Sequence, residues 1–367
     1  MKEHILFVID GLPGGGAENV TLRLATGLHQ SGYQVSLLSL NTQLAYTIPE
    51  GIHYIVSLDH YKGPLRKVNE LNRRAKAMDK VLLELFQQKG KPVLVLSNLH
   101  KTDRIVVKSK LLHDCNVWHC IHGVFSKSYL SNKNTFSSWT KKEKIKKVYK
   151  NKKIICVSHA ICKDLLENIG VQPAQINTIY NPFDFNEIEK KSLQPNPYQN
   201  LNYLLHIGRF HEVKRQDRLI EAFAKAKLPC KLLIVGNGSE EIENGIKKKI
   251  CELGLNDNVI LAGFHSNPLP IIHDAKAVII SSDSEGLPTV LIEALICHTP
   301  IASTDCPGGV REIMTHGLEK YLSELTSDAL AEKMQLVYTQ PPKISNIMYE
   351  KFEVRNIIKQ YIALIEK

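Results

Sequence analysis

The sequence predicts an α/β protein of two doubly wound, Rossmann-like domains facing a central cleft, and three observations carry that expectation. Its 367 residues exceed one ordinary domain and suit two of roughly 180 each. Strand and helix patterns alternate from residue 4 to about 184 and resume near 202. Between them, residues 185–200 are polar and hold Pro195 and Pro197, which reads as a linker. The expected division is therefore 1–184, a linker at 185–200, 201–345, and a C-terminal helix over 346–367, with 327–337 also helical.

The first strand is 4–9, a continuous apolar run of the buried parallel type, and 17–30 follows as a helix with Val20, Leu24 and Leu28 on one face. The connection holds Gly14, Gly15 and Gly16, whose backbone can approach a phosphate or sugar closely. Two familiar phosphate loops do not fit it. A dinucleotide pattern starting at Gly14 needs glycine where Asn19 stands, and a Walker loop starting at Gly11 needs Lys-Ser/Thr where the chain has Ala17-Glu18. A tight turn at the start of the helix explains the same glycines.

Three His and two Cys crowd residues 113–122. In a strand, alternation sets Cys120 and His122 on one face and His119 on the other, so they do not share one ion and no metal site is expected. The strand instead delivers His122 to the cleft from its carboxyl end. A further strand at 154–156 runs into a helix capped by Ser158 that ends before Gly170.

In the second half, Gly208-Arg209 follows a strand-like 203–205, with Lys214 five residues beyond Arg209. Taken alone, these two cations are ordinary surface charges. Downstream, Ser284-Glu285-Gly286-Leu287-Pro288-Thr289 joins the apolar strand 277–280 to a helix. Pro288 suits the first helical position, and the free N–H groups of that first turn favour an anion. Glu293 is expected ~7 Å further along. It lies in an almost wholly apolar helix, so it should be buried and supplied with donors. The plainer alternative is a solvated loop acid and a polar helix position.

Glu285-Gly286-Leu287-Pro288 with Glu293, and Gly208-Arg209 with Lys214, resemble the signatures of the retaining glycosyltransferases of family 4, which have the two-domain GT-B fold. Gly15-Gly16-Ala17-Glu18 is similar to their first loop, and Asn181-Pro182-Phe183-Asp184 to the segment that closes their first domain. Thr304-Asp305-Cys306-Pro307-Gly308 departs from the family wording by inserting Cys306-Pro307.

The resemblance implies transfer of a sugar from a nucleotide diphosphate donor, a UDP-sugar first and a GDP-sugar second, without metal or other cofactor. Arg209, Lys214 and the helix start at Gly286, Leu287 and Thr289 would hold the departing diphosphate. Fixed cations aimed at charge that develops on a leaving group lower the barrier. Glu285 would hold donor-sugar hydroxyls and Glu293 the ribose, with Gly208, Gly236, Asn237 and Phe264 beside the nucleotide. Gly14, Gly15, Gly16 and His122 would face them from the first domain, to which the last helix is expected to return.

The net charge is +10. Residues 101–153 hold fourteen Lys or Arg against three Asp or Glu, and Phe136, Trp139, Ile145, Val148 and Tyr149 interleave with the densest cations. Segment 136–153 therefore reads as a contact for an anionic membrane surface, or as the solvated face of a core helix. No nucleic-acid motif accompanies it. The acceptor expected from the resemblance and this charge is a glycan or glycolipid of lipopolysaccharide or capsule. Eight scattered Cys without a C-x-x-C pair, and a chain that runs from Met1 straight into its first strand, suit a cytoplasmic protein at the inner face of the plasma membrane. A sugar-nucleotide epimerase or hydrolase, a noncatalytic partner subunit, and more distantly an NAD-dependent oxidoreductase stay open. The oligomeric state is not encoded in any of these features.

Overall fold

A computed structural model describes residues 2–61, 63, 68–130 and 135–365, the side chains of 135 and 136 excepted. The chain divides into two compact units, Met1–Pro182 with Val354–Lys367, and Phe183–Glu353.

Unit 1 carries β1 (His4–Ile9), β2 (Gln34–Ser39), β3 (His53–Val56), β4 (Leu94–Asn98), β5 (Val117–Ile121), β6 (Lys153–Cys156) and β7 (Gln175–Thr178). They form one sheet in the order β3-β2-β1-β4-β5-β6-β7, and every pair is parallel. Alternation along β1 divides the core. Ile5, Phe7 and Ile9 pack with Leu24 and Leu28 of the helix Gly16–Gln30, whereas Leu6 and Val8 pack with Met78 and Leu82 of the helix Glu70–Lys89. Both faces are covered, which is why β1 is apolar from Ile5 to Ile9.

Unit 2 carries β8 (Tyr203–Ile207), β9 (Lys231–Val235), β10 (Val259–Gly263), β11 (Ala277–Ile280), β12 (Ile301–Thr304) and β13 (Leu322–Ser323), ordered β10-β9-β8-β11-β12-β13 and all parallel. In each sheet the strand order reverses once, between β1 and β4 and between β8 and β11. Open parallel sheets bind ligands in the crevice outside the carboxyl ends of the strands at that reversal.

Three expectations need correction. Residues 185–200 are not a linker throughout. Phe185–Ser192 is a helix of unit 2, because Asp184 accepts from Glu187 N at 2.9 Å as its cap and Ile188 is buried. The C-terminal helix is shorter than 346–367. Residues 346–352 form two 3₁₀ turns held in unit 2, where Phe183 N donates to Phe352 O at 2.9 Å, and the helix runs Val354–Ile362. That helix packs in unit 1, with Ile357, Ile358 and Tyr361 in the same core as Leu24 and Leu28.

The third correction concerns the basic segment. It is the helix Thr135–Tyr149, and its Ile145 and Tyr149 are buried in unit 1. They are core rather than a membrane-facing edge. Trp139 remains 59% exposed, Lys144 and Lys147 of the same helix are exposed, and the Phe136 side chain lies outside the described residues.

Candidate active site

In unit 2 the loops that follow β8, β9, β11 and β12 are bound to one another. Gly208 N donates to Val235 O at 3.0 Å, Phe210 N to Asn237 O at 2.6 Å, and Gly236 N to Gly263 O at 2.8 Å. This packing is backbone against backbone. A Cβ on Gly236, whose φ is +147°, would lie 2.0 Å from the Gly208 carbonyl oxygen. Glycine at 236 is therefore required both by conformation and by space.

Lys214 closes a 3₁₀ turn, Glu212–Lys214, that begins at His211. Its Nζ donates to Glu285 Oε1 at 2.6 Å, and Ser282 Oγ donates to the same oxygen at 2.6 Å. The sequence-predicted cation and acid, far apart in the chain, thus meet at the carboxyl ends of β8 and β11. Glu285 is 9% exposed, and its backbone is braced as well, with N donating to Pro307 O at 3.0 Å. Gly309 N in turn donates to Gly286 O at 2.9 Å. The Cys306-Pro307 insertion therefore supports the Glu285 turn.

A second layer of charge, not singled out from the sequence, ties the two loops together. Asp283 accepts from Arg218 at 2.6 Å and from Arg215 at 3.2 Å, and Asp283 N donates to Val213 O at 2.8 Å. Arg218 also donates to Ser281 O at 2.8 Å, and Ser281 Oγ to Lys214 O at 2.8 Å. Arg215 holds φ +50°, a strained position that its contacts with Asp217 and Asp283 offset. The Lys-Arg-x-Asp-Arg spacing after Arg209 was the available signal, but which acid these arginines meet was not.

His206 also escaped the sequence reading. It is fully buried on β8, its Nδ1–H donates to Ile279 O at 2.9 Å, and burial lowers its pKa to about 4. Its Nε2 has no partner among the described residues. It lies 3.5 Å from where a Gly208 Cβ would stand, with Lys214 Cδ at 3.8 Å from the same point.

The remaining expected residues of unit 2 are placed as follows. Pro288 is the N-cap rather than the first helical residue, and the helix runs Thr289–Ile296 with Leu287 buried before it. Glu293 is half-buried, less than expected, while Leu291, Ile292, Ala294 and Leu295 take the core. Asn237 is exposed and Phe264 is 63% exposed. Arg209 is exposed, and its side chain makes no ion pair or hydrogen bond among the described residues. Its carbonyl accepts from Gln216 Nε2 at 3.2 Å.

In unit 1 the Gly14–Gly16 loop follows β1. Leu12 and Ala45 are joined through Ala45 N to Leu12 O at 2.7 Å, and Tyr46 OH donates to Gly15 O at 3.0 Å. Gly14 has φ +107° and Gly15 caps the helix. His122 follows β5, and its Nε2–H donates to Asn98 Oδ1 at 3.0 Å. The lone pair on Nδ1 is buried without a partner among the described residues, and burial lowers the pKa to about 4. The neighbours in the crowded segment diverge. His119 meets Asp103 across one face of the sheet, while Cys120 joins the core with Ile357 and Tyr361 on the other.

Comparison with known proteins agrees with the two-domain fold. Residues 14–187 match the family described as Glycosyltransferase Family 4, and residues 187–354 the family described as Glycosyl transferases group 1. The chain is 28% identical over 316 residues to a Campylobacter jejuni N-acetylgalactosaminyltransferase acting on N-acetylgalactosamine-N,N'-diacetylbacillosaminyl-diphospho-undecaprenol, covering 83% of this chain and 81% of that one. It is 27% identical over 345 residues to an amylovoran biosynthesis glycosyltransferase of Erwinia amylovora, covering 92% and 90%. Among solved structures, Anabaena HepE in complex with UDP and glucose has the same fold, with a TM-score of 0.82, 20% identity and 99% of each chain covered. Two all-parallel Rossmann-like units, the joined Lys214 and Glu285 loops, and family matches that together run from residue 14 to 354 place this chain among the family 4 glycosyltransferases of GT-B fold.

Proposed function

We propose that this glycosyltransferase moves a hexose or related sugar, with retention and without a metal, from a UDP-sugar to a glycan or glycolipid of cell-envelope polysaccharide or lipopolysaccharide. The contact between Lys214 and Glu285 carries the reading, because it sets a cation and a sugar-binding acid together at the strand-order reversal of unit 2. Lys214 and Arg209 neutralise the departing diphosphate, helped by the N–H groups at Leu287 and Thr289. Glu285 accepts from donor-sugar hydroxyls and Glu293 from the ribose. Gly208, Gly236 and Asn237 let the nucleotide approach backbone, and Phe264 offers an exposed ring to the base. In unit 1, the lone pair of His122 and the Gly14–Gly16 backbone are matched to hydroxyl and phosphate groups respectively. The leaving phosphate oxygen takes the proton of the acceptor hydroxyl. The names of the Campylobacter and Erwinia relatives and the UDP bound to HepE support this choice of donor and acceptor class.

Nucleotide release from a panel of UDP- and GDP-sugars, with and without glycan acceptors, tests the reading. Transfer above the acceptor-free rate with a UDP-sugar is expected; donor consumption indifferent to every acceptor would favour a hydrolase or epimerase. Glu293→Ala is expected to weaken UDP binding about 10- to 100-fold in calorimetry, the worth of one charge-assisted hydrogen bond. Unaltered affinity would remove Glu293 from the ribose site.

The lysines of 136–153 bind an anionic membrane surface through Lys144, Lys147 and the exposed Trp139 in this proposal. Among the described residues no helix is long and apolar enough to cross a membrane. Replacing Lys144 and Lys147 by Glu should reduce sedimentation with phosphatidylglycerol vesicles, and unchanged sedimentation would dismiss the contact.

A further inference from the structure

A buried polar chain in unit 1, at the carboxyl end of β4, is used by none of the roles above. Asp103 is fully buried and accepts from Ser97 Oγ, from His119 Nδ1 at 2.8 Å and from Tyr149 OH at 2.7 Å. A carboxylate has no proton to give, so the phenol hydrogen points at Asp103 and the phenol oxygen is left as an acceptor. His100 Nδ1 stands 2.9 Å from that oxygen and must therefore carry its ring hydrogen there. The other ring nitrogen, Nε2, keeps a lone pair and has no hydrogen-bond partner among the described residues. Burial lowers the His100 pKa to about 4, so the imidazole is neutral and this tautomer persists near pH 7.

Backbone and surroundings add two independent observations. Leu99, which precedes His100, holds φ +74° and ψ 136°, a region rarely taken by any residue but glycine. Such strain costs of order 1–3 kcal/mol and persists where the surroundings over-determine the conformation, frequently at binding sites. It ends β4 beside the β1–β4 reversal and turns His100 into the start of the helix His100–Val106. The imidazole then meets the rings of Phe125 at 5.2 Å and Tyr129 at 5.3 Å, both edge to face. Tyr129 is 38% exposed, and its hydroxyl also lacks a partner among the described residues.

A fixed lone pair next to a half-exposed aromatic ring selects a ligand with a hydrogen to donate and an apolar face. A sugar offers both, as a hydroxyl and a C–H surface. A fully ionised phosphate offers only acceptors and does not match. We propose that His100 Nε2, flanked by Tyr129, receives a hydroxyl of the acceptor sugar, and that Asp103 and Tyr149 are positioning residues that fix its tautomer. The proposal rests on the glycosyltransferase reading above and names the group of unit 1 that recognises the acceptor.

The test follows the His100 imidazole by NMR in full-length, ¹⁵N-histidine-labelled protein saturated with UDP. The signal is assigned with His100→Phe, which keeps a ring among Phe125, Tyr129 and Tyr149, or with His100→Gln should the first variant not fold. Methyl α-glycosides of glucose, galactose, N-acetylglucosamine and N-acetylgalactosamine are the probes. At least one is expected to shift the Nε2 resonance while the Nδ1–H signal stays in place. Tyr149→Phe should let the two tautomers exchange and weaken that glycoside about 2- to 10-fold, the share of one neutral hydrogen bond, with UDP affinity unchanged. If none of the four moves the signal in protein that binds UDP, the proposal is overturned. Equal glycoside binding in Tyr149→Phe would overturn the positioning role. Failure of the wild-type protein to bind UDP would count against the donor reading instead, and calorimetry reads that separately.

Discussion

Lys214→Ala is expected to lower sugar transfer by roughly 10²–10³ while the protein stays folded. The ammonium stands 2.6 Å from Glu285 Oε1, and in the proposed function it serves both the developing charge on the diphosphate and the acid assigned to the donor sugar. Removing it leaves Glu285 with Ser282 as its remaining side-chain donor among the described residues. The lost pair is not deeply buried, since Lys214 is 25% exposed. Destabilisation should therefore stay below the 3–5 kcal/mol typical of breaking a fully buried pair. Lys214→Arg should not restore the rate, because a planar guanidinium does not fit the place of a point charge. Steady-state rates with thermal melts on the same preparations separate the two effects. A purified Lys214→Ala enzyme with wild-type turnover would end the diphosphate role.

Gly236→Ala carries the second large effect. Its Cβ would stand 2.0 Å from a backbone oxygen of Gly208 at φ +147°, so neither a rotamer change nor a local adjustment relieves the clash. The loops after β8 and β9 must separate, carrying Arg209 and Lys214 with them. A displacement near 1 Å in a catalytic loop can cost about 10²-fold in rate, and overpacking of this kind costs about 1–3 kcal/mol in stability. Gly245, inside the helix Glu240–Glu252, is the control. A Cβ there meets nothing within 4 Å, and Gly245→Ala should stabilise by roughly 0.5–1 kcal/mol with unchanged turnover. Comparable losses in both variants would mean that the Gly208–Gly236 contact has no special standing.

One misread segment and one alternative left open show where local pattern stops being informative. Pro195 and Pro197 mark a break in regular structure, whereas just upstream Asp184 caps a helix and Ile188 lies on its buried side. A helix of eight residues spans only about two turns, and this one buries just Ile188 and Ser192, so its cap was the stronger signal. In the basic segment, Ile145 and Tyr149 share one helical face, and a sequence alone does not say whether such a face meets a core or a lipid surface. Asp103, through Tyr149, supplies the answer from a distant element.

The sequence by itself determined the strand and helix alternation, the glycine turns and the family signatures, because these depend on period, backbone conformation and residue type within a few positions. It named Lys214 and Glu285 individually. Their contact, the Asp283 bracing by Arg215 and Arg218, the support from Pro307, and the tautomers of His100, His122 and His206 were decided by tertiary structure. Each depends on which strand ends the parallel order brings side by side, and hydrogen bonds are sensitive to tenths of an ångström that no spacing along the chain encodes.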